Sequence, residues 1–310
     1  MKKVLYATTA LVAFGGAAAA EVSLSGYAEM GIKGGSAGET QFHNDIDVKF
    51  SLSGESETGI SFGATIDLDE VNSSGEVGGT TINNNGTPLD PTDDYPQASN
   101  FNRSSVWIEG DFGKLTLGDT DGGYDWAMQE IYMGSALTDD HSTHGGAYLN
   151  SGADGTYDGQ ILRYENTFGD FGFAVSTEFD DSGTFDPVIG VGVKWSGDMG
   201  GVELGVGVGY QTVESTDITG ISVSAAMAGG LDVRLNYSRD GSGADWMGVG
   251  VGYSAGDVLV QANYGEYEFG ASGWGLVGNY DLGGGASVQA GFGDTDGGES
   301  TWSLGLGLSF

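Results

Sequence analysis

From Val22 onward, apolar and polar side chains alternate with a period of two. In VSLSGYAEMGIK, Val22, Leu24, Ala28, Met30 and Ile32 share one face, and Ser23, Ser25, Tyr27, Glu29 and Lys33 share the other. FHNDIDVKFSL sets Phe42, Ile46, Val48, Phe50 and Leu52 against His43, Asp45, Asp47, Lys49 and Ser51. Ile60, Phe62, Ala64, Ile66 and Leu68 then alternate with Ser61, Gly63, Thr65, Asp67 and Asp69. Successive side chains of a strand point to opposite faces, so each segment reads as a strand with one apolar and one polar side. The same reading places strands at 104–109, 114–118, 160–167, 172–179, 188–195, 202–213, 220–228 and 231–239. It places five more at 246–253, 258–267, 273–280, 286–293 and 301–310, about sixteen in all.

A soluble sandwich also alternates. Here, however, the polar face carries charge at mid-strand (Asp47, Lys49, Asp67), and many segments are long for soluble strands. The connections also alternate in length. Short Gly-rich turns fall at 54–59, 110–113, 168–172 and 283–285, and long polar loops at 70–102 and 119–159. Short turns at one end and long loops at the other mark a membrane barrel. The expected fold is therefore all-β, a transmembrane antiparallel β-barrel of about 16 strands, wide enough to hold an aqueous channel. Tyr164, Phe168, Phe171, Phe173, Tyr210, Tyr237, Tyr253, Tyr264, Tyr280 and Trp302 lie near segment ends, where interfacial girdles form. The last strand, TWSLGLGLSF, alternates strictly and closes on an aromatic, Phe310.

Composition narrows the alternatives. The 310 residues include 59 Gly, four Pro and no Cys. That much Gly disfavours a helical protein, because each interior Gly costs about 1 kcal/mol relative to Ala. It shows no triplet period with Pro, which excludes collagen. The formal charge of −34 would repel a nucleic-acid backbone, and 11% aromatic residues exclude a disordered acidic chain. Residues 1–20, MKKVLYATTALVAFGGAAAA, have the basic start, short apolar run and A-x-A end of a secretory signal peptide. The apolar run is too short for a spanning helix. Residues 21–310 are then the barrel.

In this order, EVSLSGYAEMGI, SGESETGISFGA, GDFGKLTLGD, YDLGGGASVQAGFGD and LGLGLSF resemble the outer-membrane general porins, in particular the alphaproteobacterial trimeric sixteen-stranded type. The resemblance spans residues 21–310. It implies a homotrimer in outer-membrane lipid and lipopolysaccharide that passes ions and small hydrophilic solutes by passive diffusion. It also implies that a third long loop folds into the pore and carries carboxylates opposite basic side chains of the wall.

Here that loop, 119–159, supplies Asp119, Asp121, Asp125, Glu130, Asp139 and Asp140. A short helix is expected at 125–133, with Trp126, Ile131 and Met133 packing on the wall. Such apolar anchors favour an inward loop over a solvated external one. Strand parity turns Lys49, Arg103 and Arg163 inward as the basic wall, with Glu165 beside Arg163. Lys194 and Arg234 come out inward as well. Asp45 and Asp47 stand where related porins tend to carry arginines, which favours cations in transit. Ca2+ in the acidic loops (88–95, 139–144 with His141 and His144, 294–299) is a weaker reading, since no EF-hand spacing occurs. No G-x-S-x-G or H-E-x-x-H motif is present, so no enzyme and no cofactor are expected. Two alternatives stay open: a substrate-selective channel, and a non-conducting barrel serving as adhesin or structural anchor.

Overall fold

The computed structural model describes residues 21–36, 38–69, 103–137, 152–241, 245–268, 270, 272–295 and 300–310, with backbone pairing also at 9–11, 82–83 and 95–96. Sixteen antiparallel strands follow one another around a ring. They are β1 (Glu21–Gly35), β2 (Gln41–Glu55), β3 (Ser61–Asp69), β4 (Ser104–Gly110), β5 (Gly113–Gly118), β6 (Ile161–Phe168), β7 (Phe171–Glu178) and β8 (Val188–Asp198). The second half is β9 (Val202–Val213), β10 (Thr216–Met227), β11 (Leu231–Asp240), β12 (Asp245–Ala255), β13 (Val258–Tyr267), β14 (Ser272–Gly283), β15 (Ala286–Thr295) and β16 (Thr301–Ser309).

The ring closes where β16 pairs with β1, from Thr301↔Gly35 to Ser309↔Tyr27. Beyond it, the Phe310 N–H donates to the Gly26 carbonyl at 2.8 Å and the Gly26 N–H donates to the Phe310 carbonyl at 3.3 Å. Closure leaves no long sheet edge, and a bilayer tolerates strands only when every backbone group is paired in this way. Thr9–Leu11 pair with Val22–Leu24, the stretch of β1 that β16 does not reach.

The apolar face of each strand points outward. On β8, Ile189, Val191 and Val193 are 40–51% exposed, while the alternate positions Val188, Gly190 and Gly192 are buried. The burial pattern of a soluble protein is thus inverted, as lipid contact requires. Phe168, Phe171, Tyr253 and Tyr280 ring the short-turn end, and Tyr210, Tyr237 and Tyr264 ring the other.

Strand lengths are uneven. β4 to β7 have only 7, 6, 8 and 8 residues, against 15 in β1 and β2 and 12 in β9 and β10. One side of the wall is therefore low.

Candidate pore constriction

Beyond Gly118 the chain turns into the barrel and runs along the inner wall. Residues Gly123–Ala127 form a single helical turn, α1, against β7, β8 and β9. The expected helix at 125–133 is thus displaced and shortened. From Met128 the backbone is extended, because the wall takes the groups that a helix would bond internally. The Gln129 N–H donates to Ser222 Oγ (2.9 Å), and Asn236 Nδ2 donates to the Gln129 carbonyl (3.1 Å). Arg234 donates to the carbonyls of Tyr132 (2.7 Å) and Glu130 (3.3 Å). Further along, Asn279 accepts from the Ser135 N–H (2.9 Å) and donates to its carbonyl (2.6 Å). Four unsatisfied N–H groups open any helix. Here Gly122 N–H finds Asp154 (2.6 Å) and Gly123 N–H finds Ser176 Oγ (2.7 Å).

The loop lies close to the wall because glycines line its path. A Cβ on Gly192 would overlap the Gly123 carbonyl, one on Gly207 the Ala127 carbonyl, and one on Gly250 the Ile131 carbonyl. Gly31 and Gly305 make the same room for Leu137 on β1 and β16. Tyr124, Ile131 and Leu137 are fully buried in this seat and Met133 nearly so. The expected anchors Ile131 and Met133 therefore pack as read. Trp126 stays half-buried, with the Lys194 ammonium 3.6 Å from its ring centroid.

The return limb is held by groups that sequence reading missed. Glu178, 1% exposed, accepts the N–H groups of Gly155, Tyr157 and Gly159 at 2.8–3.1 Å. Gln211 accepts from Ala153 N–H and donates to Asp154, both at 2.6 Å. Each of these is an inward amide or carboxylate far from the loop in sequence. The available signal was an amide or hydroxyl two residues from a glycine on the inward face, as in Gly209–Gln211 and Gly220–Ser222. Glu178→Ala would leave a cavity at a fully buried position and take the acceptor from three partly buried N–H groups. It is expected to cost about 3 kcal/mol, read as a lower temperature at which the barrel loses its compact migration in detergent gels.

The charged residues fall into two groups. Arg163 lies inward, but its side chain is only 9% exposed. It donates to Glu165 at 2.7 Å and to the Asp121 carbonyl at 2.6 Å, and so pins the start of the loop. Lys194 donates to the Trp126 carbonyl at 3.3 Å, so with Arg234 three inward cations are engaged in holding the loop. The second group borders open space. Lys49 pairs with Asp67 at 3.1 Å and stays half exposed. A cavity of about 670 Å³ separates Ser135 of the loop from Asp47, Lys49 and Asp67. Asp119 sits at the rim of β5, where burial raises its pKa and nearby Arg103 lowers it. Asp45 pairs across the ladder with Glu29, and Asp47 with Tyr27. Asp121 and Glu130 are exposed.

Asp125 behaves differently from its neighbours. Burial first, then the charges of Asp121, Asp154 and Glu130, push its pKa up to about 8 despite Arg163. Burial likewise lifts Asp154 to about 6, against the hydrogen bonds from Gly122 and Gln211. Asp139, Asp140, His141 and His144 lie outside the described residues, as do 88–94 and 296–299. Among the described residues no group of three or more His, Cys, Asp or Glu is placed to hold a metal ion.

A closed sixteen-stranded barrel with an apolar outside, a charged lumen and a loop seated within it defines a transmembrane diffusion channel. The family profile of the Gram-negative porins matches residues 7–300, and the chain belongs to that family. It is a general porin of the outer membrane, forms a diffusion channel and is not an enzyme. Solved structures agree on the fold. A multiply substituted porin of Rh. blastica superposes with a TM-score of 0.67 at 16% identity. A porin refined at 1.8 Å resolution gives 0.66 at 21%, and a triple mutant of the Rhodopseudomonas blastica porin gives 0.65 at 19%. Each alignment covers 93% of this chain and all of the other. A comparison with curated proteins found no match.

Proposed function

We propose that the channel prefers cations, with its narrowest part between the seated loop and the inner faces of β1 to β5. The carrying observation is the division of the basic side chains. Arg163, Lys194 and Arg234 are taken up by the loop, Lys114 lies over Trp107 at 5.1 Å, and Arg239 binds Asp245 at 2.7 Å. Lys33 lies two residues from the end of β1, and Lys49 and Arg103 then act on Asp119 together with Asp67 and Asp121, with Asp47 at the same cavity as Lys49. Such an excess of carboxylates in a low-dielectric passage concentrates cations and excludes anions, most strongly at low ionic strength. Reversal potentials in a KCl gradient across a planar bilayer test this. Replacing Asp119 and Asp121 by Asn is expected to lower the K+ over Cl− permeability ratio at least two-fold. Anion preference in the unaltered protein would defeat the proposal.

A trimer is part of the same reading. A six-residue strand at the usual tilt rises about 15 Å, short of the roughly 25 Å apolar band of an outer-membrane barrel. The low wall of β4 to β7 nevertheless exposes Val106, Ile108, Leu117 and Val175. A neighbouring barrel would cover this side and supply the missing height. Current closing in three equal steps is the expected signature. Residues 1–20 are proposed as the export signal that delivers the chain.

A further inference from the structure

On the short-turn side of the loop the wall is hollowed beneath α1. The hollow has a volume of about 650 Å³. It exists because small side chains fill the middle of three successive inward rows across β8 to β10 and part of the other two, with Lys194 in the row above and Asp198 and Glu203 in the row below. Ser196 pairs with Gly205 and Gly205 with Ser224, Gly207 lies opposite Ser222, and Ala226 lies opposite Glu203. Trp126 and the loop segment through Gln129 form the roof.

Its charges are graded by level, with one cation at the roof and carboxylates below it, the first being Asp170, whose carbonyl accepts from the Ser196 N–H at 3.1 Å. Lys194 stands at the roof, exposed; its ammonium lies over the Trp126 ring and gives one N–H to the Trp126 carbonyl at 3.3 Å, and it has two further N–H groups to offer a ligand. Two rows nearer the membrane face, Glu203 is exposed at the lip, and Asp232 lies beside it through the Ala226 pairing. Lys194 and Glu203 are anchored four residues apart along paired strands, since Lys194 faces Gly207. That separates their backbone levels by about 13 Å. With part of that height taken up by the two side chains, a solute about 7–10 Å long would bridge them. Two or three residues of extended peptide span that distance.

We infer that this hollow is a binding subsite for small zwitterionic solutes of di- and tripeptide size. The solute carboxylate meets Lys194, its ammonium meets Glu203, and its amide lies between the Trp126 roof and the serine hydroxyls. Charge-assisted bonds at both ends fix orientation. An ion pair this exposed contributes little energy, so the site would retain a solute briefly and then release it. The inference rests on the channel reading, because the solute reaches the hollow through the lumen.

The test uses the full-length barrel in a planar bilayer. Alanyl-alanine is added to one chamber and K+ current is recorded at each polarity. The expected result is brief, concentration-dependent interruptions that depend on the side of addition. They should be weaker for the N-acetylated, amidated analogue, which carries neither charge, and for sucrose. Glu203→Gln is expected to weaken the block about three- to five-fold. Ala226→Phe, which fills the hollow and leaves both charges in place, is expected to abolish it. Equal interruption by dipeptide, capped analogue and sucrose would overturn the subsite, as would undiminished block in Glu203→Gln. Current in KCl alone reports on the channel itself, so absent conductance would count against the porin reading and normal conductance without block only against the subsite.

Discussion

Replacing Gly250 or Gly207 by Val is expected to reduce single-channel conductance by half or more while the barrel remains folded. Both glycines face inward under the loop backbone, and an added Cβ would overlap the carbonyl of Ile131 or Ala127. Neither carbonyl can yield outward, because the strand is behind it. The loop must therefore shift toward the pore axis, where it narrows the passage. Barrel closure does not depend on the loop: β5 and β6, which flank it, pair directly with each other from Lys114↔Glu165 to Gly118↔Ile161. Gly278→Val is the control, since a Cβ there meets nothing within 4 Å. Conductance unchanged in all three variants would show that the loop does not rest on this track.

A second large effect is expected from pH. Raising pH from 5 to 9 should increase cation preference in two stages, near pH 6 and near pH 8, as Asp154 and then Asp125 ionise. Both carboxyls titrate above the ordinary value of 3.8, chiefly because burial disfavours the charged form. The linkage follows in sign. The folded state binds these protons more tightly than the unfolded chain does, so their contribution to stability is fully present below about pH 4. It is lost as pH rises through about 6 and then about 8. Each ionisation adds negative charge beside Asp121 and loosens the seat of the loop through repulsion. Asp125→Asn should remove the upper stage and Asp154→Asn the lower one, in reversal potential and in thermal stability alike. A flat profile in the unaltered protein would place these carboxylates in contact with water.

Much of the fold was legible along the chain. All sixteen strands, their faces, the closing pair β16–β1 and the alternation of short turns with long loops follow from period-two alternation and turn chemistry. Local signals suffice there, because every strand meets the same two environments, lipid outside and lumen inside. The helix at 125–133 failed for the opposite reason. Ile131 and Met133 are buried against the wall as expected, but Ser222, Asn236 and Arg234, about a hundred residues away, claimed the backbone groups the helix needed.

The abundance of glycine also takes on a sharper meaning. Several of the 59 lie in turns, yet those on β8, β9, β10 and β12 form the bed on which the loop rests. By itself the sequence determined that the chain closes into a barrel, which residues point inward, and that the lumen is acidic. Parity distinguishes inward from outward and nothing finer. Arg163 and Lys49 have the same parity, yet one is buried beneath the loop and the other borders open water. That distinction depends on where a distant loop lies against the wall, and only the tertiary structure decided it.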